Sequence, residues 1–231
     1  MKSYEQIGVA MTCRGYEEYK RMFAIDEEVL RAGEILDVAG GASSFTAEAA
    51  EKGYAGAAVD PRYALDPVTI EEEARAEIEA STAKLAGLKE QFDWTYYGDP
   101  ARHRLGRIAS LERFAADLGR PDSHLRYYAG ALPELPFDND RFSLVLCSHF
   151  LFLYGNQFDP AFHTRALLEL MRVCRPGGQI RIYPLITLEF KPYPFLEQLL
   201  ATIREAGGLP ELGSAGLPFI PGSTRYLNIS V

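Results

Sequence analysis

Along most of this chain, short apolar runs alternate with longer amphipathic stretches. Glu34–Val38, Gly56–Asp60, Leu125–Tyr128, Phe142–Ser148 and Gln179–Tyr183 are each short enough for a strand, and the run at 142–148 is apolar enough to be buried on both faces. Ser44–Lys52, Pro160–Cys174 and Pro194–Ala206 lie among them and predict helices. The second ends against Arg175-Pro176-Gly177-Gly178, a helix stop, and the third against Gly207-Gly208. Strand, helix and strand at this spacing make right-handed crossover units with parallel strands.

Two regions break the rhythm. Residues 1–33 predict a polar amphipathic helix, with Tyr16, Tyr19, Met22 and Phe23 at helical intervals. After the second strand, Val68–Gln91 is a Glu-, Ala- and Lys-rich helix former, Asp93–Gly98 an aromatic break and Ala101–Leu118 another helix. That stretch is too long for a simple connection and reads as a helical insertion. In the tail, Leu217–Ile220 and Arg225–Val231 flank Pro221-Gly222-Ser223 and predict an antiparallel hairpin at the sheet edge. The expectation is one α/β domain over residues 1–231, with about seven mostly parallel strands and an antiparallel C-terminal hairpin. Residues 1–33 are expected to form an N-terminal helical cap, and 63–124 an insertion acting as a lid.

The 231 residues are 47% hydrophobic, enough for a sizeable core, and carry a formal net charge of −8. That balance argues against nucleic acid and against an anionic membrane surface, since both require basic patches. Cys13, Cys147 and Cys174 are scattered without C-x-x-C spacing, so reduced thiols are expected and no metal site. Met1–Gly15 lacks an apolar signal core, and Phe142–Tyr154 is too short to span a bilayer; the expected location is cytoplasmic. The sequence says nothing of oligomeric state.

Candidate chemistry concentrates in Ile35-Leu36-Asp37-Val38-Ala39-Gly40-Gly41-Ala42-Ser43-Ser44. A strand, a turn of small residues and a helix start let a ligand approach the backbone and meet open N–H groups. Asp37 and Asp60 stand at the carboxyl ends of neighbouring strands, 23 positions apart (60 − 37). An acid about 20 residues past the first loop suits ribose hydroxyls. A nicotinamide dinucleotide site would instead require G-x-G-x-x-G, and Asp37 would repel its pyrophosphate.

Four segments then resemble class I S-adenosylmethionine-dependent methyltransferases of the ubiquinone/menaquinone-biosynthesis type. Asp37–Ser43 is similar to that family's D-V-G-C-G-T-G loop, and Val59-Asp60-Pro61-Arg62 to its second-strand acid region. Leu135-Pro136-Phe137 with Asp140-Arg141-Phe142 resembles the L-P-F…D-x-x-F stretch, and Arg172–Gly178 the R-V-L-(R/K)-P-G-G signature. The resemblance implies S-adenosylmethionine as cofactor and methyl transfer to a small-molecule acceptor. It implies that Ala39, Gly40, Gly41 and Ser43 wrap the methionine part, with Asp37 nearby. Asp60 would bind the ribose hydroxyls, and Pro61 and Arg62 would lie beside the adenine. Gly130, Ala131 and Leu132 would line the adenine pocket, while Ser148 and His149 border the methionine end and the acceptor. Four positions depart from the pattern: Ala39 and Ser43 replace loop glycines, Gly130 replaces the Asp that often holds the adenine amino group, and Ser143 replaces the Asp after Phe142.

Transfer from a sulfonium expels a neutral thioether, so alignment is the main requirement and a base helps only with some acceptors. His149 is the one candidate base, with a pocket-lining role as its alternative; His103, His124 and His163 read as surface residues. The absence of N-P-P-Y after the fourth strand argues against methylation of nucleic-acid bases, by the same resemblance. Phe92, Trp94, Tyr96 and Tyr97, with Tyr16, Tyr19 and Phe23, form either a lid over the acceptor or the contact that fixes the insertion to the core. Arg14 reads as a surface arginine, with a carboxylate contact as its alternative. Two other functions stay open at this point: a cofactor-binding protein without catalysis, and an NAD-dependent oxidoreductase.

Overall fold

The computed structural model describes residues 4, 6 and 8–231. Among them, seven strands form one sheet in the order β3-β2-β1-β4-β5-β7-β6. These are β1 (Ile35–Val38), β2 (Gly56–Val59), β3 (Tyr127–Tyr128), β4 (Phe142–Ser148), β5 (Cys174–Tyr183), β6 (Leu209–Ser214) and β7 (Arg225–Ser230). β1 to β5 pair in parallel, and β7 inserts antiparallel between β5 and β6. The arrangement is an α/β Rossmann-like sheet in which β1 and β4 sit at the centre.

Alternation along the strands divides the core. Leu36, Val38, Val145, Ile180 and Ile182 face α6 (Pro160–Val173) and α7 (Leu196–Glu205). Ile35, Leu144, Leu146 and Tyr183 face α1 (Tyr16–Phe23) and Phe45 of α3 (Phe45–Glu51). Cover on both sides explains why β4 is buried at every position. α4 (Pro67–Gly87) and α5 (Pro100–Leu118) lie between β2 and β3 and pack through Ile70, Ala74 and Ile78 against Leu111, Phe114 and Leu118. Asp66, Asp99 and Asp159 each precede a proline and cap α4, α5 and α6 by accepting a hydrogen bond from a backbone N–H three residues on.

Several expectations need correction. The N-terminal region is not one helix: residues 8–15 form an irregular strap, and α1 and the five-residue α2 (Glu27–Arg31) follow it. The capping arrangement at Gly15, whose N–H donates to Glu18 Oε2, starts the first helix only there. The hairpin pairs β7 with 209–214, not with 217–220. Leu217, Phe219 and Ile220 turn inward instead, because a six-residue edge strand can leave its side chains in water while these three find apolar partners. Arg175–Gly178 does not separate helix from strand; α6 ends at Val173 and β5 begins at Cys174, with a register irregularity opposite Phe142–Leu144.

Candidate functional site

The carboxyl ends of β1 and β2 carry the two acids as expected, but in different surroundings. Asp60 follows β2, accepting hydrogen bonds from Arg62 N at Oδ1 (3.0 Å) and from Gly41 N at Oδ2 (3.1 Å). Asp37 is the third residue of β1 and only 1% exposed. Both its oxygens take the Tyr19 hydroxyl at 3.0 Å. Burial pushes the Asp37 carboxyl up to about 8, opposed by the Tyr19 hydrogen bond and reinforced by the charge of Asp60. The two acids flank the same turn: a Cβ on Gly40 would stand 3.2 Å from Asp37 Oδ2, and Gly41 bonds Asp60 directly.

That turn is covered from above. Ala42 N and Ser44 N donate to Thr12 O and Arg14 O of the strap, and Ser43 Oγ donates to Arg14 O at 2.7 Å. The Tyr63 hydroxyl donates to Gly41 O at 2.8 Å from another side. Ala39 has φ 56°, a left-handed conformation in which glycine is the unstrained residue.

Two cavities open on either side of the strap. The first, about 600 Å³, lies at the ends of β1 and β2, and its walls include Ala39, Asp60, Pro61, Arg62, Gly130, Ala131 and Leu132. Phe150, Phe158 and Phe162 close its far side; the last two rings stack at 4.3 Å. Val9 of the strap borders this cavity, held by Arg62 Nη2 donating to Val9 O at 3.0 Å. The second cavity, about 750 Å³, is bordered by Ala10 to Arg14 of the strap, by His149 and by a largely aromatic wall. His149, at the turn after β4, has φ 53° and its N–H donates to Tyr183 O at 2.6 Å. Its Nδ1 lies 2.9 Å from Ser148 Oγ. Burial, followed by Arg14 and Arg107, holds the imidazole well below its ordinary pKa, so it is neutral at pH 7.

Of the sequence-predicted residues, seven therefore line the first cavity and His149 lines the second. Asp37, Gly40, Gly41, Ser43 and Ser148 line neither; they are buried beneath or beside the walls. Three further expectations fail. His103 and His163 are 5% and 0% exposed, and Arg14, expected at the surface, is 8% exposed. The aromatics divide into two groups. Tyr16, Tyr19 and Phe23 pack with Phe45 in the core. Phe92, Trp94 and Tyr97 gather around Phe219, and of these Phe92 lines the second cavity.

A family profile described as a methyltransferase domain matches residues 107–182, from within α5 through β5. The uncharacterized protein MJ0045 of Methanocaldococcus jannaschii is 34% identical over 188 residues, covering 81% of this chain and 82% of its own. Among solved structures, the glycopeptide N-methyltransferase MtfA, complexed with S-adenosylmethionine, superposes with a TM-score of 0.52 at 11% identity, covering 98% of this chain and 100% of its own. An O-methyltransferase family protein from Burkholderia thailandensis gives 0.50 at 14%, covering 93% of this chain and 55% of its own. The chain shares a family with MJ0045, carries a methyltransferase domain, and has the fold of the S-adenosylmethionine-dependent methyltransferases.

The first cavity of this methyltransferase suits an adenosyl group. An ionised carboxylate offers about four acceptor sites, and two on Asp60 are used by backbone N–H groups, which leaves room for two ribose hydroxyls. The missing acid at Gly130 has a packing cause: a Cβ there would lie 2.7 Å from Pro136 Cδ and 3.0 Å from Val59 Cγ2. The second cavity is also lined by two residues that sequence reasoning had not placed in a site, His103 and Arg107. Their signal was present. His103, Arg107, Ser110, Leu111, Phe114 and Leu118 form the buried stripe of α5, and polar residues inside such a stripe mark an internal site. Among the described residues, no helix is long and apolar enough to cross a membrane.

Proposed function

We propose that this methyltransferase acts on a small-molecule acceptor, with the cofactor's adenosine in the first cavity and the acceptor in the second. The observation that carries the reading is the pairing itself: a nucleoside-sized space with an acid on its rim, separated by one strap from an apolar space of comparable size. A cavity largely enclosed by side chains suits a small molecule better than a duplex, and the net charge of −8 agrees.

S-adenosylmethionine, when bound, supplies a methyl group whose C–S bonding pair stays on sulfur, so the leaving thioether needs no acid. Asp60 holds the ribose hydroxyls, with Pro61, Arg62, Gly130, Ala131 and Leu132 around the base. The turn 39–43 meets the methionine part through Ala39 and through backbone held in place by Asp60 and Thr12. The aromatic wall excludes water and fixes the acceptor for in-line attack. His149 adjoins the second cavity and is the side chain placed to take the proton of a hydroxyl or acidic carbon as its new bond to carbon forms, a role that burial, Arg14 and Arg107 oppose by lowering its basicity. The chain acts as one domain in this reading, the strap and the 63–124 insertion together covering the site.

Calorimetric titration with S-adenosylhomocysteine tests the first compartment, and release of that product during incubation with panels of small acceptors tests the second. Absence of S-adenosylhomocysteine binding would overturn the assignment. Turnover on oligonucleotides or on protein but on no small molecule would overturn the acceptor class.

A further inference from the structure

Among the described residues, one buried charge on the wall of the second cavity has no partner. Its walls carry two guanidiniums, Arg14 and Arg107. Arg107 is neutralised by Glu18 at 2.8 Å. Three more of its five donors are used, on Cys13 O (2.7 Å), the Tyr97 hydroxyl (3.0 Å) and His103 Nε2 (3.2 Å). Arg14 has no such arrangement. It is 8% exposed, its Nη1 has no hydrogen-bond partner, and among the described residues no carboxylate reaches ion-pair distance of it. An arginine cannot shed its proton to escape burial. Isolated burial of a full charge costs several kcal/mol, which a protein recovers only if a counter-charge arrives.

His103 adds a second unmatched donor. Arg107 can only donate, so His103 Nε2 must accept, and the ring proton is thereby fixed on Nδ1. That Nδ1 is buried and unpartnered. Burial, with Arg107 and Arg14 beside it, holds this imidazole down to about 2, so it contributes an N–H and no charge. Glu77, the one carboxylate on the wall among the described residues, is not in ion-pair reach of Arg14, and the cations that act on it are Lys84 and Arg62. Arg14 therefore keeps an unpaired positive charge at the wall, which matches a carboxylate better than a phosphate.

We propose that the acceptor, bound as the function above requires, is an apolar or aromatic molecule bearing a carboxylate that Arg14 holds, with His103 as second donor. Leu85, Phe92, Phe190 and Phe219 enclose its body. The methylated atom lies elsewhere on the acceptor, because a carboxylate gripped by a guanidinium has its lone pairs engaged.

The test uses the full chain saturated with S-adenosylhomocysteine and titrated calorimetrically with 4-phenylbutyrate and with its neutral amide. Wild type is expected to bind the carboxylate about tenfold or more tightly than the amide, and Arg14→Gln to lose that preference. S-adenosylhomocysteine and 5′-methylthioadenosine, which lacks the amino-acid tail, are titrated against both proteins. Equal affinity for carboxylate and amide in wild type overturns the inference. So does an Arg14→Gln protein that weakens S-adenosylhomocysteine but not 5′-methylthioadenosine, since that assigns Arg14 to the cofactor's own carboxylate. Arg14→Gln and Arg14→Met are expected to melt no lower than wild type without ligand, as each removes an unpaired buried charge; a lower melting temperature for both assigns Arg14 a structural role and overturns the inference. Failure of wild type to bind S-adenosylhomocysteine at all removes the function proposed above, and this inference falls with it.

Discussion

Replacing Glu18 with Gln isolates what the buried charge cluster costs. The substitution keeps the shape of the side chain and removes, among the described residues, the only carboxylate paired with Arg107; the ion-paired side chains are 7% and 10% exposed. At 2.8 Å the attraction is about 6 kcal/mol for an effective dielectric constant of 20. Desolvation offsets part of that in the intact pair, but the variant leaves Arg107 charged and unpaired, and measured losses of this kind run to about 3–5 kcal/mol. Arg14 sharpens the effect, because two adjacent guanidiniums would then share one enclosed space. The amide of the Glu18→Gln variant keeps a carbonyl oxygen for the Gly15 N–H or the Tyr97 hydroxyl, so the loss reports charge more than lost hydrogen bonds. The expected loss in urea unfolding is about 3–5 kcal/mol, equivalent to a fall in melting temperature between about 6 and 20 °C for a chain of this size. Adding Arg107→Met to Glu18→Gln should recover most of it. A single variant within about 1 kcal/mol of wild type, or a double variant no more stable than the single, would refute the reasoning.

Other outcomes follow from the same geometry. Asp60→Ala should weaken S-adenosylhomocysteine binding by roughly 10- to 100-fold in calorimetry, the value of a charged hydrogen bond, and unchanged affinity would remove Asp60 from the ribose. Asp37, raised to about 8 by burial, is protonated in the folded chain but ionised in the unfolded chain at pH 7. Stability should therefore fall as pH rises from 7 towards 8, by up to about 1.4 kcal/mol per unit, and Asp37→Asn should flatten that slope. The window avoids His103 and His149, whose depressed values act below about pH 6.5, where unfolded histidines begin to bind protons. A slope unchanged by Asp37→Asn would count against the buried acid. Gly130→Ala should cost about 1–3 kcal/mol in urea unfolding through its approach to Pro136 and Val59, and a neutral result would show that this loop yields.

The order of strands and helices was legible because the core-facing elements announce themselves locally. The run at Phe142–Ser148 could only be a central strand, and the small-residue turn at 39–43 could only follow one. Edges were less legible. Residues 209–214 carry Pro, Glu and Gly, and pair with β7 through backbone bonds that make few demands on side chains. Residues 217–220 had the composition of a strand, yet their side chains are drawn to aromatic partners distant in sequence. Burial of single polar residues was the least legible of all. Arg14 looks like any surface residue in a polar segment, because what encloses it comes from elsewhere in the chain.

The sequence by itself determined the parallel part of the sheet and the position of its acid-bearing strand ends, since both depend on short-range patterns of volume and polarity, while the cofactor class came from the resemblance of its motifs to a known family. Only the tertiary structure decided that residues 8–15 cross the turn as a strap, that Asp37 sits beneath the site and not on its wall, and that Arg14 is buried without a counter-charge. The physical reason is distance along the chain. The partners of the strap lie on the turn after β1, on the segment after β4 and on α5, and a charge or a cavity acquires its meaning only when such remote segments have excluded the water between them.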